Sequence, residues 1–462
     1  MHAQAQEPRQ RLEVSKNGRY LMREDGVPFL YIGDTAWELF HRLTFDEADY
    51  YLRDRARKGF TVIQAVALAE IDGLTSPNAN GDLPFVSLQP GGELEPNEPY
   101  FAHVDRVVST ANDLGMTVGL LPTWGRHWKA TPSSDSTPNT GDGAALFTAR
   151  NARAFGEWMG SRYKQADVIW ILGGDRNIDN DAERALIDAM ADGLRTGDEA
   201  RHLMTYHPLG PGRSREQLDD AEWIDFHMCQ TSHAAAGHDT GLFIEADYVM
   251  DPPKPVLDGE PRYEGIPVGF YYHGHNPAAR FTDYDSRTAA WGAILAGSCG
   301  HTYGNNNVWQ MWDEGRKPLL GASVPWHKAL AHPGAAQMGY LRHLLESVEW
   351  WKLEPEITDR NQPATSLPDR VAVLADGPNY GPKKIRASKA NDGSFALVYS
   401  PKGEPFTVRL DAIEKSKVRS RWFSPRYGTF HPIYSATNRS FQTYTPPTKG
   451  DECDWLLILD GG

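Results

Sequence analysis

The sequence predicts a (β/α)8 barrel of the TIM type followed by a C-terminal antiparallel β-sandwich. Three observations carry this expectation. First, eight strand-like segments begin near residues 29, 61, 116, 168, 202, 223, 254 and 301, nearly all separated by helical segments. Such alternation implies parallel strands, and eight of them within about 320 residues fit a closed barrel. Second, the slot after the first strand reads GDTAW, without the GxGxxG that a doubly wound open sheet, the competing architecture, usually carries there. Third, from about residue 350 the texture changes to short alternating strands with turn residues between them.

Each element has its own warrant. Residues 11–31 read as a hairpin, because β-rich runs flank Asn17-Gly18 and a second turn sits at Asp25-Gly26. FLYIGDTAW (29–37) is a strand ending in an acid and an indole. Residues 44–60 are a helix, with Thr44 as N-cap, Glu47 completing a capping box and Gly59 as C-cap. TVIQAVAL (61–68) is a strand, followed by a long Pro/Gly/Asn loop over 71–99. Helix 100–114, strand 116–125, a polar loop near 130–142 and helix 147–165 come next. VIWILGGDRN (168–177) starts as an unbroken apolar strand, as expected of one buried on both faces. Helix 181–196, strands 202–208 and 223–230, a helix near 239–249 and strand 254–265 continue the series. Helix 284–296, strand 301–311 and helix 334–348 complete it. The chain divides as an N-terminal hairpin extension packed on the barrel (1–28), the barrel (29–350) and the sandwich (351–462).

Bulk properties narrow the function. The formal net charge is −14 and there are no Lys/Arg blocks, so no nucleic-acid partner is expected. Cys229, Cys299 and Cys453 lie far apart without CxxC or zinc spacing, and read as buried thiols. No run of about 18 apolar residues occurs, so no membrane insertion is expected. The start MHAQAQEPRQ contains an A-Q-A piece like the tail of a cleaved signal peptide, which suggests a mature secreted or periplasmic protein. The 14 Trp and 19 Tyr exceed what a core needs; such an excess lines sugar-binding clefts or simply fills a large core.

In this barrel class the site lies on the loops after the strands' carboxyl ends. All eight strand ends are polar or aromatic. They offer Asp34 and Trp37; Gln64 and Glu70; Trp124, Arg126, His127 and Trp128; Asp175, Arg176 and Asn177; Tyr206 and His207; His227 and Gln230; Asp258, Glu260, Arg262 and Tyr263; and Tyr303, Asn305 and Trp309. A serine hydrolase would need G-x-S-x-G, and Ser298 in AGSCG, the nearest imitation, ends a helix. A metal-dependent hydrolase would need His-x-His early in the barrel, and none occurs there; His207, His227, His233 and His238 lack ligand spacing. No metal and no cofactor are expected.

Two carboxylates on different strand ends, in the company of Trp, Tyr, His and Asn, fit glycoside hydrolysis. One acid protonates the leaving oxygen while the other attacks the anomeric carbon or activates water. Asp175 after the fourth strand and Glu260 after the seventh lie across the mouth from one another in a closed barrel. A separation of about 5–5.5 Å means retention and about 6.5–9.5 Å inversion. Structural readings compete. Asp175 is also placed to cap the helix near 181 or to pair with Arg176, and Glu260 to pair with Arg262. Asp258 rivals Glu260, and Asp34 is a third carboxylate suited to holding a hydroxyl. The substrate-binding set comprises Asp34, Trp37, Gln64, Trp124, His127, Asn177, His207, His227, Tyr303, Asn305 and Trp309. His207 and His227 would bind hydroxyls or orient a carboxylate; Trp124, Trp309 and Tyr303 would stack on a sugar or pack the rim.

The blocks NGRYLMREDGVPFLYIGDTAWELFHRLTFDEADYYLRDRARKGFTVIQ, WILGGDRN, VLDGEPRYEG and RWFSPRYG…DWLLIL resemble glycoside hydrolase family 140 from about residue 12 to 460. The resemblance implies a secreted or periplasmic bacterial β-apiosidase, a barrel plus sandwich that removes terminal apiose from the pectin rhamnogalacturonan-II. By motif it carries the acid/base onto Asp175 in GGD and the nucleophile onto Glu260 in GEP. It also implies kinship with the retaining barrel glycosidases. There the usual Asn-Glu at the fourth strand end is here Gly-Asp, one methylene shorter, which leaves retention against inversion open. The family's C-terminal domain carries a collagen-binding label. Nothing in residues 351–462 would recognise a triple helix, and the sandwich reads as a packing module. Two alternatives stand beside the apiosidase: an arabinofuranosidase-type enzyme on the same scaffold, and a non-catalytic carbohydrate-binding protein.

Overall fold

The apolar runs become eight short parallel strands: β1 (Tyr31–Thr35), β2 (Val62–Val66), β3 (Thr117–Leu121), β4 (Val168–Leu172), β5 (Met204–Tyr206), β6 (His227–Gln230), β7 (Val256–Asp258) and β8 (Gly300–Tyr303). This is a computed structural model, described for residues 11–129, 145–236, 238–271, 278–357, 372–373, 381–413, 418–433 and 441–461. The ladder runs β5-β4-β3-β2-β1-β8-β7-β6. The seam between β6 and β5 is closed just below the ladder. Asp225 N–H donates to the Met204 carbonyl at 2.9 Å, and the Thr205 hydroxyl donates to the Phe226 carbonyl at 2.7 Å. A short antiparallel piece, Gly212–Arg213, is added on β6.

Every residue of the eight strands is buried, because one face fills the barrel and the other meets helices. The faces separate cleanly in β4: Ile169 and Ile171 join the barrel interior, while Val168, Trp170 and Leu172 join the layer shared with the helices. Helix α1 (Phe45–Arg57) has the expected capping box, with Thr44 N–H donating to Glu47 at 2.8 Å. It stops before Gly59, which takes φ +86°. Helices α2 (Glu98–Asp113), α3 (Ala149–Tyr163), α4 (Asp181–Gly197), α5 (Gly241–Tyr248), α6 (Asp283–Ile294) and α7 (Pro333–Glu346) follow in order. Among the described residues no helix is long and apolar enough to cross a membrane.

Several expected strands are shorter than their apolar texture suggests. The seventh stops at Asp258 rather than 265, because Gly259 and Pro261 interrupt the ladder and proline has no N–H to give it. The eighth stops at Tyr303, and the sixth starts only at His227. The expected polar loop over 130–142 lies outside the described residues.

The N-terminal segment forms a three-stranded meander, Leu12–Val14, Leu21–Arg23 and Pro28–Phe29, rather than a simple hairpin. Leu12, Leu21 and Phe29 pack into the barrel-interior cluster, and Arg23 pairs with Asp167, just before β4, at 2.9 Å. The meander therefore closes the amino end of the barrel and leaves the carboxyl end as the mouth. After residue 352 the chain forms an antiparallel six-stranded sheet and a three-stranded sheet facing it across an apolar core that includes Phe406, Trp422 and Trp455. This unit is tied to the barrel by buried charge. Arg287 on α6 grips both oxygens of Asp454 at 2.9 and 2.8 Å, and Arg386 reaches Asp239 at 2.6 Å and also contacts Glu245.

Candidate active site

The exit of β4 is built by three successive residues in the left-handed region: Gly173 (φ 93°), Gly174 (φ 72°) and Asp175 (φ 62°). The glycines are also required by space. A Cβ on Gly173 would lie 2.4 Å from the His207 carbonyl oxygen, and one on Gly174 would lie 2.8 Å from the Gly125 nitrogen. Asp is among the few residues that adopt this conformation at modest cost. Neighbouring loops pin the turn. Gly125 N–H donates to the Gly174 carbonyl at 2.9 Å and the Trp128 indole to the Gly173 carbonyl at 2.7 Å. The Tyr206 hydroxyl donates to the Arg176 carbonyl at 2.6 Å.

The exit of β7 is equally constrained. A Cβ on Gly259 would meet Met228 Sδ at 2.3 Å, and the Gly259 carbonyl accepts from the Gln64 amide at 3.1 Å. The next residue is Glu260. Its Oε1 lies 3.1 Å from His233 Nε2, and its Oε2 lies 3.0 Å from His207 Nε2. The other nitrogen of His207 accepts from the Asp175 backbone N–H at 3.2 Å. One imidazole thus touches both strand exits. Trp37, Trp124 and His207 form an aromatic wall around it, with ring centroids 5.1, 5.6 and 5.9 Å apart. Trp309 belongs to the same barrel-interior cluster.

The environment splits the two carboxylates. Burial alone would raise Glu260, but His207 and His233 outweigh it and hold the group down to about 2. Burial, and then the negative charge of Glu260, push Asp175 up to about 7. Arg176, whose Nη1 lies 3.6 Å from Asp175 Oδ2, works against that push, as do His207 and a Gln230 hydrogen bond. At neutral pH the arrangement offers one fixed anion and one acid near half-protonation, the division of roles that two-carboxylate chemistry needs. A third carboxylate, Glu70, is pushed up to about 8 by burial and then by Asp175, Glu38 and Glu260.

The competing structural roles are assigned elsewhere. Asn180, not Asp175, caps α4, accepting from Glu183 N–H at 3.0 Å. Arg262 donates to the His238 carbonyl at 2.5 Å. Asp258 is fully buried and accepts from the Thr231 hydroxyl at 2.8 Å.

Several residues expected at the mouth are elsewhere. Asp34 lies inside β1 on the outward face, where it accepts from Tyr51 at 2.5 Å and from the buried Arg55 at 2.6 Å. Tyr303 is its register partner on β8 and also faces outward, donating to Glu264 at 2.5 Å. His227 opens β6, at the amino end of the barrel, and contacts Ser214 at 3.1 Å; burial drives it down to about 3. Gln64 lies beneath the mouth, accepting from Tyr31 at 2.9 Å while it holds Gly259. His127 holds the Ala69 carbonyl at 2.9 Å, Asn177 accepts from Gln217 at 2.7 Å, and Asn305 bonds His332 at 2.8 Å. All three organise loops. Parity accounts for Asp34 and Tyr303, since a residue still within a strand follows the alternation of its faces.

Conversely, the structure adds His233, Gln230, Arg176 and Glu70 to the surroundings of the two acids; the last three are strand-end polar groups in the sequence, outside its binding set. His233 stands three residues past β6 after Ser232, which takes φ 71°; no local pattern announces it. Among the described residues no group of three or more His, Cys, Asp and Glu is arranged to hold a metal ion. The one His-x-His spacing, His273 to His275, lies outside them.

A family model described as the apiosidase-like catalytic domain matches residues 15–352, well over half of the chain. The chain belongs to this apiosidase-like family. A second model, described as the collagen-binding domain of a collagenase, matches residues 367–460. A solved structure named only as a glycoside hydrolase is 30% identical, with a TM-score of 0.83, covering 98% of this chain and 97% of its own. A glycoside hydrolase family 5 structure from Bacteroides vulgatus is 29% identical, with a TM-score of 0.81 over 98% and 94%. A family 5 mannosidase from Rhizomucor miehei, 14% identical with a TM-score of 0.53 over 74% and 100%, shares the fold alone. No curated protein sequence matches. The chain is a glycosidase, and its substrate is a carbohydrate.

Proposed function

We propose that this apiosidase-like enzyme releases a terminal furanose, β-linked apiose, from pectic side chains or apiosyl glycosides by a retaining, two-carboxylate mechanism. Asp175 is the general acid/base. It protonates the glycosidic oxygen as the bond to the sugar breaks, and then takes a proton from the water that frees the product. Glu260 is the nucleophile that carries the sugar between the two steps. The observation that supports this most is the opposed charge state of the pair, with Glu260 held down by two histidines while its charge holds Asp175 up. Trp37 and Trp124 form the wall against which the ring would rest. A pectic substrate lies outside the cell, so the same reading makes the enzyme secreted or periplasmic.

The test is hydrolysis of aryl β-apiofuranoside beside aryl arabinofuranosides, with the first-formed anomer read by NMR. Preferential release of apiose with retained configuration is expected. Preference for arabinofuranose would replace the sugar, and an inverted first product would replace the mechanism.

A further inference from the structure

Both histidines at Glu260 have their second ring nitrogen occupied. His207 Nδ1 accepts from Asp175 N–H at 3.2 Å, and His233 Nδ1 accepts from Tyr263 N–H at 3.3 Å. A nitrogen that accepts carries no proton, so a neutral ring in either place has its proton on Nε2. Those two Nε2 atoms face the two oxygens of one carboxylate, at 3.0 Å for His207 and 3.1 Å for His233. The His233 contact is a hydrogen bond, whereas His207 Nε2 and Glu260 Oε2 lie 3.0 Å apart but out of line for one, and neither atom makes a hydrogen bond among the described residues.

We infer that His207 and His233 are positioning residues for the Glu260 carboxylate, each fixed as the Nε2–H tautomer by a backbone N–H, and that His207 also sets the placement of the Asp175 turn. The inference rests on the reading of Glu260 as the nucleophile. Both rings are fully buried. His207 is enclosed by Trp37 and Trp124, and His233 packs against Tyr263 with centroids 4.4 Å apart. Protonating either Nδ1 would set N–H against N–H around a fully buried ring. The carboxylate therefore receives a hydrogen bond from His233 on one oxygen and the close Nε2–H edge of His207 beside the other, both from fixed rings. His207 adds a mechanical link. Its ring senses the Asp175 backbone while its own carbonyl leaves no room for a Cβ at Gly173. A displacement of the acid turn is thereby transmitted to the nucleophile.

The test combines spectroscopy with paired variants. In the whole chain labelled with 15N-histidine, both rings are expected to show the Nε2–H tautomer in the active enzyme. His207→Gln keeps an amide N–H near the Nε2 position, whereas His207→Asn leaves Glu260 Oε2 bare. The Asn variant is expected to lose kcat by about 10²-fold, the cost of a misplaced reacting group, with KM nearly unchanged, and the Gln variant to recover most of it. His233→Asn and His233→Gln should behave likewise. An Nδ1–H or doubly protonated ring at full activity would overturn the inference. So would equal losses in the Asn and Gln variants that track the thermal midpoint, the mark of mere space filling. If Glu260→Gln remains active, the reading of the nucleophile fails by itself; the tautomers are judged separately by NMR.

Discussion

Acidic groups near the strand ends do two opposite jobs in this barrel. Asp34 stays within β1, faces the helices and is matched by Arg55 and Tyr51. Asp175 and Glu260 come after β4 and β7 have ended, past glycines that free them from strand alternation, and the charge of Glu260 raises the cost of charge on Asp175. The first arrangement joins two layers of the fold. The second stores electrostatic tension at an opening. A buried acid with a cation is a structural link, whereas a buried acid beside another acid marks a place where protons can be moved.

The sharpest way to break this comparison is to neutralise each acid without changing its shape. Glu260→Gln and Asp175→Asn should each lower kcat by on the order of 10³-fold or more, with thermal unfolding little changed. Asn is chosen at 175 because it also tolerates the left-handed backbone there. Near-normal turnover by either variant would remove that residue from the mechanism.

Asp34→Asn should do the reverse. It removes the buried carboxylate at Arg55 Nε and leaves that guanidinium only the partly buried Asp54, 2.9 Å from its Nη1, a loss of up to about 3–5 kcal/mol for a broken buried pair, measurable by denaturant unfolding. Activity per folded molecule should stay unchanged. A variant of normal stability and low kcat would show that the outward face takes part in catalysis.

A smaller effect sharpens the electrostatic half of the comparison. As the proposed acid of the first step Asp175 must be protonated in the free enzyme, so kcat/KM should decline as pH rises through about 7, approaching tenfold per unit. Removing the charge of Glu260 removes an upward push on Asp175. In Glu260→Gln, carboxyl 13C NMR should therefore find Asp175 titrating lower than in the parent. An unchanged titration would mean that burial alone sets its proton affinity.

Much of this was legible in the chain. The capping box at Thr44 and Glu47, the eight strand positions and the sandwich after residue 352 follow from local pattern. So does the placement of Asp175 after Gly173-Gly174, because both glycines and the acid lie within one turn. Asp34, Tyr303 and His227 escape that pattern, because nearness to a strand end does not by itself place a residue at the mouth. The deciding facts were where the strand ends and which face the residue takes. Gln64 lies in the middle of β2, one layer below the mouth.

From the sequence by itself come the fold class and the placement of Asp175 and Glu260 just past their strand ends, since both rest on short-range chemistry: propensity, caps, and glycine before a carboxylate. Only the tertiary structure decided which acids oppose each other, which face cations, and that His207 and His233 converge on Glu260. The reason is range. A side chain's charge state depends on atoms a few ångströms away, and around Glu260 those atoms are brought together from the exits of β4, β5 and β6, segments that no local pattern connects.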